Sequence, residues 1–547
     1  MLEKKRGGVR VHARIKERFH TVQEKLITEE NVLLLQKGKR GVLNVLFGRT
    51  AIIVVLILLQ FGMMFSVSRW LGEYVPEFYS FILLASVIIG IHVLNKPGDP
   101  TVKLTWIIII MAAPFFGALL YMWIQNDIGH RILHSRLDGI LDRTKNYLNT
   151  DEELKAHLKN QHHDLYELSV YMDRVGGYPV YQGCPVTYFK SGEEKFEDLL
   201  VELEKAREFI FLEYFIIEEG YMWGRILEIL SRKAKEGVEV RVLYDGTCSL
   251  YKVPYGYAKK IRSLGIQCKM FAPLRPTVST HYNNRDHRKI LVIDGHVAYT
   301  GGINLADEYI NRKKLYGHWK DTAVKVEGAA VKSFTLMFLQ MWNVDERVEL
   351  YDTYVNREYE ILPPPKGYVI PYGDSPLDHE RVGEMVYFDI LNRAEKHVHI
   401  MTPYLILNQE MLTALTFAAK RGVEVQLILP HQPDKEAAFA LAKTYYAQLL
   451  KAGVEIYEYL PGFVHAKIFT SDNRKAVVGT INLDYRSLQH HFECGLYMYD
   501  VEAISVMERD FIDTRAKCKK ITMADVRRDK ITRRILGPLL KVVAPLM

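Results

Sequence analysis

A chain of 547 residues, 48 per cent hydrophobic and 25 per cent charged, has ordinary globular composition and room for two or three domains with substantial cores. The formal net charge of +7 permits an anionic partner but does not single one out. Five cysteines, odd in number, scattered and without a Cys-x-x-Cys pair, argue against both a disulfide framework and a zinc site.

Residues 1–50 form a basic extension with 12 Lys or Arg against 5 Glu, a bias that favours the cytoplasmic side of a membrane. Three apolar runs follow, Ala51–Val67, Phe78–Leu94 and Leu104–Trp123, of 17, 17 and 20 residues without a charged side chain. A bilayer core takes about 20 residues of helix, so the region 51–124 is expected to hold two or three transmembrane helices, the third run being the best span. Trp70 and Trp123 stand at run ends, where interfacial anchors belong. The 50 residues ahead of the first run argue against a cleaved leader. Three full spans would carry the remainder across the membrane. A re-entrant segment would keep it on the cytoplasmic side, as Arg131, Arg136, Arg143 and Lys145 favour, and the sequence leaves that parity open.

Residues 125–185 read as a polar, largely helical connector. From Val186 the pattern becomes α/β: helix over 194–207, strand over 209–216, helix over 224–236, strand over 238–244. This first half, residues 186–361, carries His287, Lys289 and Asp294, followed by Gly301, Gly302 and Asn304. The proline-rich stretch at 362–380 breaks both periods and reads as a linker. The second half, residues 381–513, resumes with helix over 385–393, strand over 398–401, helix over 409–420 and strand over 423–429. It carries His465, Lys467 and Asp472, then Gly479, Thr480 and Asn482. The tail, residues 514–547, holds ten Lys or Arg and an apolar end, and reads as a basic amphipathic surface for anionic lipid.

The two His-x-Lys-x4-Asp motifs lie 178 residues apart, with identical steps of 14 residues from His to Gly and 17 from His to Asn. One such motif is a weak signal, whereas two with the same extension are not coincidence. The flanks repeat as well: Glu236-Gly-Val-Glu-Val-Arg-Val-Leu-Tyr answers Arg421-Gly-Val-Glu-Val-Gln-Leu-Ile-Leu. The period is too long for a solenoid, so each half supplies part of one site.

Strand alternation puts His and Lys of each motif on one face. A phosphodiester reaction needs a nucleophile, an acid for the leaving oxygen and donors for the phosphoryl oxygens. His287 and His465 supply the first two, one imidazole attacking phosphorus to give a phosphohistidine while the other protonates the alkoxide. Lys289, Lys467, Asn304 and Asn482 are the expected phosphate ligands, and no metal or other cofactor is required. Asp294 and Asp472 complete the motifs. Their offset of seven residues puts them on the strand face opposite the His, where they are expected to brace the fold. Glu493 is expected to orient His465, and Asp321 is its nearest equivalent for His287. Glu213 and Tyr214 are candidate pocket residues.

These motifs resemble those of the phospholipase D superfamily, and the details are similar to its bacterial cardiolipin synthase branch. The matching text is His287-Arg-Lys-Ile-Leu-Val-Ile-Asp-Gly, Thr300-Gly-Gly-Ile-Asn, His318-Trp-Lys-Asp-Thr, Val464-His-Ala-Lys and Gly479-Thr-Ile-Asn-Leu-Asp-Tyr-Arg-Ser, together with the apolar segment from Leu104 to Tyr121. The resemblance implies an α-β-α sandwich for each half, the His motifs meeting across a pseudo-twofold axis. It also implies transfer of a phosphatidyl group from one phosphatidylglycerol to another, giving cardiolipin and glycerol. The expected partners are therefore phosphatidylglycerol, cardiolipin and an anionic membrane surface, not nucleic acid, and the expected setting is a bacterial cell membrane crossed several times. Homo-oligomerisation is left open. The long basic extension and the third apolar run depart from the family pattern. A phospholipase D type hydrolase is the main alternative. A nucleic-acid phosphodiesterase is a weaker one, and intact motifs in both copies argue against a retired scaffold.

Overall fold

The computed structural model describes residues 75–125 and 128–546, apart from residues 146, 255, 274–283, 347, 358, 360–364 and 379. The N-terminal extension and the first apolar run lie outside the described residues. The second run lies within the helix Val75–Asn95. The third is divided between two helices, Pro100–Ala112 and Pro114–Gln125. This corrects the expectation of one continuous span: Pro114 offers no amide hydrogen and its ring crowds the preceding turn, so the helix breaks there. Ser86 Oγ donates to the Pro114 carbonyl at 2.9 Å, and Trp106 meets Tyr121 edge-on. Phe81, Leu84, Ile88 and Ile91 face outward on Val75–Asn95. Among the described residues, no helix is long and apolar enough to cross a membrane.

The remainder is built on two large mixed sheets, and their strand orders repeat. In the first, the order is Val186–Phe189, Ala323–Glu327, Val297–Gly301, Lys289–Ile293, Phe209–Tyr214, Glu239–Asp245 and Gln267–Phe271. In the second, Tyr368–Asp374, Glu493–Tyr499, Lys475–Gly479, Ile468–Ser471, His397–Met401, Glu424–Pro430 and Glu455–Tyr459 follow in the same order, with short edge strands Tyr181–Gln182 and Cys518–Lys520 added. In each sheet the last three strands of that common order run parallel and the others pair antiparallel. The parallel strand Phe209–Tyr214 is buried throughout, which is why it reads as an almost unbroken apolar run.

Two boundaries move. The stretch taken as a linker contains the strand Tyr368–Asp374, which pairs with Glu493–Tyr499 as Val186–Phe189 pairs with Ala323–Glu327. The tail begins with an edge strand on Glu455–Tyr459. The connector helices Glu152–Gln161 and His163–Gly176 send Leu158, Leu165, Leu168 and Met172 into the core of the second half.

Strand alternation divides the cores. On Lys289–Ile293, Ile290 and Val292 enter a core shared by both halves, whereas Leu291 and Ile293 enter one built from the first half together with Phe463 of the second. Ala476 and Val478 from the second half meet that shared core, as do Leu496 and Met498. Phe334 and Phe338 on the helix Val331–Trp342 join them, with Phe511 on Ala503–Arg515. The halves are thus joined by apolar surface whose loss on separation would be costly at about 25 cal/mol per Å².

Candidate active site

Two backbone junctions between the halves position the imidazoles. Residues 285–287 run beside Phe492: the His287 amide donates to the Phe492 carbonyl and the Phe492 amide to the Arg285 carbonyl, both at 2.9 Å. The strand Gly462–Val464 pairs in parallel with His318–Lys320, and the His465 amide then donates to the Lys320 carbonyl at 2.7 Å. A Cβ on Gly462 would come within 2.4 Å of the His318 backbone, so only glycine allows this approach.

The junctions decide which carboxylate each imidazole meets. His287 Nδ1 lies 2.8 and 2.9 Å from the two Glu493 oxygens, and His465 Nδ1 lies 2.7 Å from Asp321 Oδ2. The expected assignments are therefore reversed. Glu493 belongs to His287 and Asp321 to His465, because each carboxylate sits beside the junction that delivers the other half's motif. Both carboxylates are fully buried. Gly302 makes room for Asp321, whose carboxylate would stand 2.1 Å from a Cβ there. In the second copy Thr480 takes that place, and its hydroxyl bonds Glu493. Glycine in one copy and threonine in the other thus both serve a carboxylate that orients an imidazole.

The lysines lie where the motif spacing puts them. Lys289 Nζ donates to the His287 carbonyl at 2.5 Å, and Lys467 Nζ to the His465 carbonyl at 2.5 Å while lying 3.0 and 3.1 Å from its ring nitrogens. Phe215 packs edge-on against His287, and Tyr309 edge-on against His465.

Other expected site residues do different work. Asn304 accepts from the Ile216 amide at 3.0 Å and donates to the Tyr309 hydroxyl at 2.7 Å; Asn482 donates to Ser487 Oγ at 3.1 Å. Both amides hold loops, leaving one N–H each for a ligand. Asp294 and Asp472 stand apart from the imidazoles and lysines of their motifs. Asp294 receives the amides of Arg207, Glu208 and Phe209, and Asp472 those of Glu395, Lys396 and His397. Neither is on a strand face as the spacing suggested. Both adopt left-handed turns, with φ of 50° and 55°, one strand length away from the imidazoles. Glu213 is fully buried near Arg288, and Tyr214 accepts from Lys195 at 3.1 Å, so neither is positioned as pocket lining. His491, overlooked in the sequence, stands beside His287 with ring centres 5.3 Å apart. Its signal was the i, i+2 relation to Glu493.

The family described as "Cardiolipin synthase, PLD-like domain" matches residues 199–342 and 387–515, which contain both motifs. A cardiolipin synthase of Halalkalibacterium halodurans is 30% identical over 506 residues, covering 91% of this chain and 99% of that protein. The chain belongs to the cardiolipin synthase family of the phospholipase D superfamily. Cardiolipin synthase 2 of Bacillus anthracis is 31% identical over 85% of this chain and 90% of its own length. A Streptococcus mutans protein described only as uncharacterized shares 51% identity over 84% of this chain. The crystal structure of a Haemophilus influenzae phosphatidylserine synthase superposes with a TM-score of 0.53 at 15% identity, covering 70% of this chain and 98% of that one, and it supports the fold.

The electrostatics of this family member's site favour an anionic ligand. Burial, reinforced by Lys289, Lys467 and His465, holds His287 well below the usual imidazole range. Burial and Lys467 push His465 down to about 4 against the opposing pull of Asp321. Burial also pushes Lys289 down to about 8 and Lys467 to about 7. Each group thus feels charges from the opposite half, and the groups share one buried cluster. Metal-ligating atoms of His287, His491 and Glu493 lie within 4.8 Å of one another, but a cation there would face the two lysines. His397, His399 and Glu508 form a second such group outside the motifs, in which Glu508 already bonds both imidazoles.

Proposed function

We propose that the chain transfers a phosphatidyl group from one phosphatidylglycerol to another, with His287 as nucleophile and His465 as general acid and then general base. The observation that carries this reading is the crossed pair of imidazole–carboxylate contacts, His287 with Glu493 and His465 with Asp321. With Nδ1 engaged by a carboxylate, each ring turns Nε2 to the substrate. His287, held neutral by burial and cationic neighbours, has a free lone pair for phosphorus. His465 is paired with Asp321, and a proton it carries is stabilised once an anionic phosphate offsets the lysines.

In the first step the Nε2 lone pair of His287 forms the bond to phosphorus as the bond to the glycerol oxygen breaks, and His465 gives that oxygen its proton. In the second, a hydroxyl of the other phosphatidylglycerol attacks, His465 takes the proton and the P–N bond breaks. Lys289 and Lys467 neutralise the non-bridging oxygens, the part metal ions play in other phosphoryl transfers.

A membrane surface is part of this reading. The C-terminal helix Ile531–Val543 exposes Ile531, Ile535 and Leu539 beside Arg534, a composition suited to anionic lipid. The outward apolar side chains of Val75–Asn95 suit a lipid environment as well, and a multi-pass arrangement including the N-terminal runs belongs to the same proposal.

Incubating the purified protein in detergent with phosphatidylglycerol, followed by mass spectrometry, tests the reaction. Cardiolipin and free glycerol are expected, both abolished in His465→Ala. Phosphatidic acid as the sole product would replace the transferase with a hydrolase, and a trapped phosphoryl group on neither histidine would remove the covalent route.

A further inference from the structure

His491 is buried to 6% exposure, and among the described residues neither of its ring nitrogens has a hydrogen-bond partner. Its nearest charged neighbour, Glu493 Oε1, lies at 3.6 Å from Nδ1, and the His287 and Phe215 rings complete its surroundings at 5.3 and 6.3 Å. A buried polar group without a partner is costly and calls for an explanation. The next residue, Phe492, is clamped to residues 285 and 287 by two backbone hydrogen bonds, which fixes the backbone that carries His491. The imidazole is held rigidly beside the nucleophile.

The chemistry of that position narrows the ligand. In the reading above Lys289 and Lys467 take the phosphate oxygens, and as cations near His287 they oppose a metal ion. Burial pushes His491 down to about 3 against the opposing pull of Glu493, so at neutral pH it offers one donor and one acceptor and no charge. A neutral group of that kind, beside the His287 ring, complements an alcohol, whose hydroxyl donates and accepts once each.

We infer that His491 is a specificity-determining residue that hydrogen-bonds the glycerol hydroxyl of the acceptor phosphatidylglycerol and favours transfer to alcohol over transfer to water. The inference rests on the phosphatidyl-transfer reading above. With the phosphatidyl group on His287, the acceptor oxygen forms its bond to phosphorus, the P–N bond breaks and its electron pair returns to Nε2, and the hydroxyl proton passes to His465. Water can replace the alcohol in the same step, giving phosphatidic acid. An imidazole that fixes the glycerol hydroxyl raises the share of the first outcome.

The ratio of cardiolipin to phosphatidic acid reads this choice directly, and it does not depend on how much enzyme is folded or how fast the intermediate forms. Wild type, His491→Ala and His491→Gln are each incubated with phosphatidylglycerol in mixed micelles, both products being quantified by mass spectrometry. The ratio is expected to fall about tenfold in His491→Ala, the factor for one lost hydrogen bond of ordinary strength, and to recover in part in His491→Gln. A fall in total turnover with an unchanged ratio would assign His491 a structural role and overturn the inference, as would no change at all. Absence of cardiolipin from the wild-type reaction would instead strike the underlying reading, and the inference with it.

Discussion

At the scale of single residues, the site couples each imidazole to a carboxylate of the opposite half. Glu493→Gln and Asp321→Asn keep the shape and remove the charge, so each is expected to lower turnover about a hundredfold or more while leaving thermal unfolding within a few degrees of wild type. Steady-state assay alongside calorimetry separates the two effects, and full activity in either variant would refute the orienting role. The depressed lysines yield a second prediction. Near pH 8 Lys467 is largely neutral and Lys289 about half charged, so an anion that restores both charges must draw protons from solution. Titration with sulfate in buffers of different ionisation heat should register uptake of roughly one proton by the lysines near pH 8, and below about pH 6, where both lysines are already charged, the uptake that remains is that of His465. The duplicated His-x-Lys pattern made these four groups legible in sequence. The carboxylate assignments were not legible, because which carboxylate meets which imidazole depends on the Asp286–Phe492 bridge and the Gly462–His318 pairing, neither of which has a local signature.

At the scale of elements, the motif aspartates act as staples. Asp472 sits in a left-handed turn after Ile468–Ser471 and accepts three consecutive amides at the start of His397–Met401, fixing two neighbouring strands in register. Those three donors hold its carboxyl below the usual range, against the opposing effect of burial. A depressed folded value means the contribution is present above the unfolded value near 4 and is lost as pH falls through the folded one. Asp472→Ala is expected to cost about 2 kcal/mol after allowing for solvent screening, a loss that should shrink in denaturant titrations below pH 3. Equal stability of the two proteins at pH 7 would contradict the staple. The strand Tyr368–Asp374 escaped detection for a related reason. Pro371 and Gly373 resemble loop text, yet Tyr181–Gln182 covers only Tyr368 and Val369, so Pro371 lies where one side of the strand is free and its missing amide hydrogen costs no bond.

At the scale of the whole molecule, the repeat explains why so much of the α/β architecture was readable. Seven strands recur in one order in both sheets, and short apolar runs announce most of them. The end of the chain carries information the repeat does not. The helix Ile531–Val543 is docked on Glu436–Ala452: Gly537 lies against Ala440, Arg533 pairs with Glu436 at 3.0 Å and covers Phe439, and Thr105 Oγ1 donates to the Val542 carbonyl at 2.7 Å.

Docking fixes which face of that helix remains outward. Ile531, Ile535 and Leu539 stand 71%, 61% and 64% exposed at intervals of four residues, a stripe that the apolar core would otherwise have absorbed. Arg534 beside it, with Arg527 and Arg528 on the preceding helix Met523–Arg528, supplies positive charge. Apolar insertion and charge attraction act together on such a face, each Lys or Arg near an anionic bilayer adding about 1 kcal/mol. The paired variant Ile535→Asp with Leu539→Asp should therefore lower binding to phosphatidylglycerol vesicles by at least about tenfold, since each replaced side chain contributes on the order of 1–2 kcal/mol when buried in the interface. Arg534→Glu should weaken binding less, and only at low salt, because screening removes the charge term and leaves the apolar one. Cosedimentation with vesicles at two ionic strengths distinguishes these contributions. Undiminished binding of the aspartate pair would place the lipid contact elsewhere in the chain.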